Sequence, residues 1–139
     1  VNPLQSLLEY EQFIYTLPQQ YPVIERSTLT VIRRGAAVAV LTGEVEIGRY
    51  RLVVREKLSF AITIGQIRDY GYEVWQGQEK LYWYDSQEHP HDPALASTHP
   101  HHKHIPPDIK HHRIPASGLS FHQPNLPFLI QEIAQLPGN

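Results

Sequence analysis

The sequence has no cysteine, which excludes a disulfide framework, a thiolate zinc site and a thiol nucleophile. Its longest apolar run, Ala36 to Leu41, is six residues, far short of the ~20 that a membrane helix needs. Charge of one sign is also lacking. Twelve basic residues against 14 acidic ones leave a net charge of -2 with histidine neutral, so no whole-body attraction to nucleic acid is built in. The N-terminus lacks the basic-then-apolar layout of a secretory leader, and a cytoplasmic location is the default expectation. Nor does a histidine occur anywhere in the first 88 residues.

What is present divides along the same line. A chain of 139 residues, 41% hydrophobic and 19% charged, suits an ordinary soluble folded unit with its own core. The reading is a single domain over 1–139. All nine histidines fall between His89 and His122, and six of the twelve prolines lie there too. The chain reads as a scaffold followed by a His/Pro-rich segment, 86–124, packed against it.

The scaffold is read from periodicity. Asn2 is placed to cap a helix and Pro3 to start it; Leu4, Leu7, Leu8, Ile14 and Leu17 follow helical spacing until Pro18 ends the run. From Val23 to Asp85 the period is two. The β-branched run Ser27–Arg33 predicts a strand. Ala37–Glu46 and Arg49–Phe60 predict a hairpin looped at Ile47-Gly48, pairing Glu46 with Arg49 and Glu44 with Arg51. Ile67–Trp75 and Lys80–Asp85 predict a second hairpin turning near Gly77. Asn125 then caps a C-terminal helix carrying Leu129, Ile130 and Ile133. The fold class is α+β: an N-terminal helix, a mostly antiparallel sheet of about five strands, an irregular His/Pro segment and a closing helix.

Four groups of residues carry possible chemistry. Arg49, Arg51, Arg55 and Lys57 share one strand face, which reads as a phosphate-binding stripe or as cross-hairpin pairing. Glu56 falls among apolar residues, which requires an edge position, an internal partner or a raised pKa. Tyr70, Tyr72, Tyr82, Tyr84, Trp75 and Trp83 form an aromatic zone, either core or a stacking platform. The His/Pro segment gives the strongest signal, with His89-Pro90-His91-Asp92, then His99-Pro100-His101-His102-Lys103-His104, then Lys110-His111-His112-Arg113. Paired imidazoles supply general base and general acid near neutral pH. Lys103 between them would stabilise a phosphorane charge. A metal reading on His89, His91 and Asp92 competes, as does a purely structural one.

The run Leu81-Tyr82-Trp83-Tyr84-Asp85, through His89-Pro90 to Pro100-His101-His102-Lys103-His104, resembles the TumE family of bacterial type II toxin–antitoxin toxins. Leu52-Val53-Val54-Arg55-Glu56 and Tyr70-Gly71-Tyr72 fit the same pattern. Trp83 stands where that family often has arginine, and the tail from Gly118 reads as a C-terminal extension. The resemblance implies a toxin held in check by a small antitoxin protein.

Together these readings give a candidate metal-independent endoribonuclease that needs no cofactor, with RNA as its partner and no membrane. His102, His104, Lys103, Tyr72 and His89 form the catalytic set, with Arg55, Lys57 and His101 on the substrate. His89, His102 and His104 are expected within side-chain reach of one another or of Lys103. The alternatives are a non-catalytic adaptor that contacts its partner through the His/Pro loop, or a metal-binding protein; a homodimer is left open. Imidazoles open to a groove would favour the enzyme, and imidazoles tied to backbone carbonyls the adaptor.

Overall fold

The computed structural model describes residues 2–61 and 64–139. Its N-terminal helix is broken where polar side chains cap the backbone. Asn2 caps a 3₁₀ turn at Pro3–Gln5. Ser6 is extended and caps α1 (Leu7–Tyr15), its hydroxyl accepting the Glu9 N–H at 3.1 Å. Pro18 does not end the helix; it occupies the first turn of α2 (Leu17–Gln20), where its missing N–H is harmless. The one expected helix is therefore three pieces. Its apolar face persists in Leu4, Leu7, Tyr10, Ile14 and Leu17, all buried.

The sheet is larger than the periodicity suggests, with eight strands, every pairing antiparallel. The Ser27–Arg33 run is split into β1 (Arg26–Ser27) and β2 (Thr30–Arg33), both lying along β3 (Val38–Ile47). The split faces Gly43, whose φ of 137° and close approach to Thr28 leave no room for a Cβ. β4 (Tyr50–Ser59) returns along β3 from a Gly48-Arg49 loop, one residue later than expected. Gly48 has a φ of 60°, which fixes the turn there. Glu46 therefore opposes Arg51, and Arg55 and Lys57 oppose Thr42 and Val40. The shift moves pairing by two residues, so Arg51, Arg55 and Lys57 keep their predicted face, while Arg49 falls in the turn with its guanidinium against Gly138 rather than opposite Glu46.

β5 (Gln66–Gln76) and β6 (Glu79–Asp85) form the second hairpin around Gly77. A bulge opposite Lys57 and Leu58 places Arg68 outside the alternation, exposed, and Ile67 in the core. The His/Pro segment is less irregular than its prolines imply. It contributes β7 (His102–His104) and β8 (Arg113–Pro115), which extend the sheet beyond β6. The helix α3 (Leu126–Ala134) closes the chain.

Alternation gives the sheet two unlike faces. On the inner one Leu52, Val54, Tyr70, Tyr72, Tyr82 and Tyr84 join α1 and α3 in one buried cluster. The tyrosines are thus core, with Tyr70 and Tyr72 stacked at 4.8 Å. The outer face carries Arg51, Arg55, Lys57, Asp85, His102 and His104.

Candidate functional site

Strand register assembles the outer-face site. Arg55, Gly71, Asp85, His102 and Pro115 are successive cross-strand neighbours from β4 to β8. Val53, Glu73, Trp83, His104 and Arg113 form the adjacent row. His102 and His104 are two residues apart on one strand, so both rings fall on the face that Asp85 occupies.

Asp85 lies between the two imidazoles. Its Oδ1 is 2.8 Å from His102 Nε2 and its Oδ2 is 3.3 Å from His104 Nε2, while the two Nε2 atoms are 3.2 Å apart. Each ring donates from Nδ1 to a backbone carbonyl, His102 to Pro100 at 3.0 Å and His104 to Ile109 at 2.9 Å. A carbonyl only accepts, so each Nδ1 carries a proton and both Nε2 atoms face the carboxylate. Asp85 Oδ1 also accepts the Gln87 N–H at 3.0 Å. All three side chains are buried. Burial pushes the Asp85 carboxyl up, but its bonds to His102 and His104 prevail and hold it well below the usual carboxylate range. At His102 burial opposes the charged form, yet the Asp85 carboxylate and the Pro100 carbonyl raise the imidazole above its ordinary value.

Around this triad stand three further groups. The His89 ring meets His102 edge-on with centroids 4.9 Å apart. Arg113 Nη1 approaches both His89 ring nitrogens, at 3.0 and 2.8 Å. Burial, Arg113 and His102 together lower the His89 imidazole below its ordinary value. The Arg55 guanidinium lies across Gly71, where a Cβ would come within 2.7 Å of Nη2. Arg55, Trp83 and Asp85 line a cavity of about 340 Å³ with Ser86 and Gln87.

Five of the eight residues singled out from the sequence therefore share this face: His89, His102, His104, Arg55 and Lys57. Lys57 is engaged by Asp69 at 3.8 Å, an acid on β5 that the hairpin alone did not reveal. The other three do not join them. Lys103 alternates to the inner face, where its Nζ is 3.6 Å from Glu132 of α3 and 4.2 Å from the Tyr82 ring centroid. Tyr72 is fully buried on that face and donates to Glu56 at 2.5 Å. His101 accepts the Tyr70 hydroxyl and stacks on that ring. Lys103 was expected beside His102 and His104, but in the extended strand β7 successive side chains point to opposite faces, so parity removes it from their site.

Glu56 meets all of its sequence-level requirements except the edge. It is fully buried, accepts from Tyr10 and Tyr72 at 2.5 Å each, and burial pushes its carboxyl up to about 7. The proposed ligand set of His89, His91 and Asp92 does not converge. Asp92 instead caps the turn Pro93–Thr98, accepting the Ala94 N–H at 3.0 Å. Among the described residues the metal-capable group is Asp85, His102 and His104, with ligand atoms within 4.8 Å of one another.

Sequence reasoning passed over Asp85 and Arg113 as site residues. The available signal was parity: Trp83 and Asp85 alternate outward from Tyr82 and Tyr84, as His102 and His104 alternate around Lys103.

The scaffold and site define an α+β protein with a buried His/Asp centre at the far side of its sheet. The chain belongs to the Toxin TumE family, whose model matches residues 14–137, the closing helix included. It is thus a toxin of a toxin–antitoxin module, and membership implies an antitoxin partner. No curated protein and no solved structure matches it. Among the described residues no helix is long and apolar enough to cross a membrane.

Proposed function

We propose that this toxin acts by cleaving RNA at the outer-face site. One observation carries the reading: three imidazoles, a carboxylate and two guanidinium groups gather at one end of one face. Burying or clustering such groups is unfavourable without a task that uses them. The reaction that suits them is attack of a ribose 2′-hydroxyl on the adjacent phosphorus. The new O2′–P bond forms as the P–O5′ bond breaks, leaving a 2′,3′-cyclic phosphate and a 5′-hydroxyl. Arg55 and Arg113 would neutralise the phosphate oxygens. His89, half-buried at the edge of the cluster, would take the 2′-hydroxyl proton, and a water would protonate the leaving O5′. His102 and His104 would act through Asp85, fixing its position beside the cavity, rather than on the substrate. In this reading Lys103, Tyr72 and His101 support the inner face.

Bacteria expressing the wild-type chain should accumulate RNA ending in 2′,3′-cyclic phosphate, and Arg55→Ala or His89→Ala should lower that signal by about 100-fold, as loss of a proton-transfer or charge-stabilising group does. RNA that stays whole in poisoned cells would overturn the proposal. It would favour the second reading, a toxin that binds without catalysis, which has its own support: His102, His104 and His112 each donate Nδ1–H to a backbone carbonyl.

A further inference from the structure

We infer that Asp85, His102 and His104 form a binding site for one divalent transition-metal ion of the zinc class. The argument starts from the tautomers. Both Nδ1 protons are committed to the carbonyls of Pro100 and Ile109, so each ring, in its neutral form, presents a lone pair at Nε2. Those lone pairs converge with a carboxylate at 3.2, 2.8 and 3.3 Å in a buried place. Four electron-rich atoms, the two Nε2 and the two carboxylate oxygens, repel one another at such separations unless a cation lies among them.

Distances and donor types point to a metal as that cation. Four ligands held tetrahedrally at about 2.0–2.1 Å from a zinc ion are about 3.3 Å from one another. The Nε2–Nε2 and Oδ2–Nε2 separations of 3.2 and 3.3 Å match that edge. Two imidazoles and one carboxylate suit zinc, nickel or iron and do not suit calcium or magnesium, which take oxygen ligands. The supporting shell is complete: a backbone carbonyl holds each imidazole and the Gln87 N–H holds the carboxylate. Pairing of β6 with β7 sets the whole constellation, since Asp85 and His102 are register partners.

Three protein ligands leave a coordination position open. The bound ion and its single carboxylate carry net positive charge, and Arg113 adds to it through its place beside His89. The fourth ligand is therefore water, hydroxide or an anion such as a phosphate oxygen. The metal site itself does not depend on RNA being the substrate.

The test uses the untagged 139-residue chain, purified without chelator. It should retain about one zinc ion per chain, and His102→Ala or Asp85→Asn should weaken zinc binding by about 100-fold or more, measured against a chromogenic chelator. The wild type loaded with cobalt should show the intense visible bands of a tetrahedral site, a readout that does not require any variant to fold. Zinc far below one equivalent together with a colourless cobalt form would overturn the inference and leave a proton shared between His102 and Asp85. Stoichiometric zinc that survives both substitutions would also overturn it, because the ion would then lie elsewhere among the histidines. RNA assays separate this from the functional reading. Zinc-loaded protein that leaves RNA whole removes the nuclease and keeps the metal; protein that retains no zinc, gives no cobalt bands and still cleaves RNA does the reverse.

Discussion

The two faces of the sheet each bury a carboxylate, one among hydroxyls and one among imidazoles, and the two carboxylates behave in opposite ways. Glu56, on the inner face, accepts from the hydroxyls of Tyr10 and Tyr72, while Asn125 donates to Tyr72 at 3.0 Å. Hydroxyls bring no charge, so burial governs and the carboxyl rises to about 7. Asp85, on the outer face, meets two imidazoles, which can carry positive charge or share a cation, and its carboxyl falls. The contrast turns chiefly on what the neighbouring groups can become, since an imidazole can take a positive charge and a tyrosine hydroxyl cannot. A carboxylate among tyrosines fastens α1, the sheet and the start of α3 together; a carboxylate among histidines keeps its charge and can bind or move a cation.

The largest expected effect tests the outer face. Asp85→Asn preserves shape but removes the charge that draws the two Nε2 atoms together. Growth inhibition should fall by about 100-fold or more, in the range that loss of a catalytic charge produces. Circular dichroism should still show the folded sheet. Full toxicity in Asp85→Asn would reduce the outer cluster to packing and erase the distinction between the faces.

Glu56 should dominate the pH response of the inner face. It binds its proton more tightly when folded than when unfolded. That stabilisation is whole below the ordinary carboxyl value of 4.5 and is lost as pH rises through about 7. The loss amounts to about 3 kcal/mol across that window, at 1.36 kcal/mol per pH unit. Denaturant titrations from pH 4.5 to 8 should show the decline in the wild type and a flatter profile in Glu56→Gln, which is neutral throughout. Toxicity should be kept by Glu56→Gln wherever it remains folded. Parallel profiles in the two proteins would mean that Glu56 titrates normally.

Most of the scaffold was legible because period-two alternation survives small errors of register. The first hairpin turns one residue later than predicted, yet Arg51, Arg55 and Lys57 stay on the outer face. The broken edge strand and the bulge at Arg68 were not legible, since both answer to tertiary constraints at Gly43 and Lys57–Leu58. The meeting of His89, His102 and His104 was anticipated from their clustering. Asp85 was not, because its role comes from pairing β6 with β7 across a 16-residue connection rich in proline, where turn residues conceal a sheet strand. Local spacing finds the histidines; only register finds the acid between them.

Lys103 gives the smallest expected effect and the sharpest test of parity. Between two site histidines in sequence, it reads as part of their chemistry. In the fold its ammonium lies over the Tyr82 ring at 4.2 Å and beside Glu132, whose carboxylate also accepts from Tyr82 and Tyr84 at 2.8 Å each. Lys103 thus helps seat α3 on the inner face. Its side chain is about one-quarter exposed, 23%, so solvent weakens both interactions. Lys103→Met keeps the aliphatic stem and should cost about 1 kcal/mol of stability, the combined scale of a partly exposed cation–π contact and ion pair. For a chain of this size that is a fall of about 4 °C in Tm. Toxicity should stay near wild type at temperatures where the variant is folded. A folded Lys103→Met that has lost toxicity would show that the ammonium acts at the site, and that the division of labour between the faces is wrong at the strand that joins them.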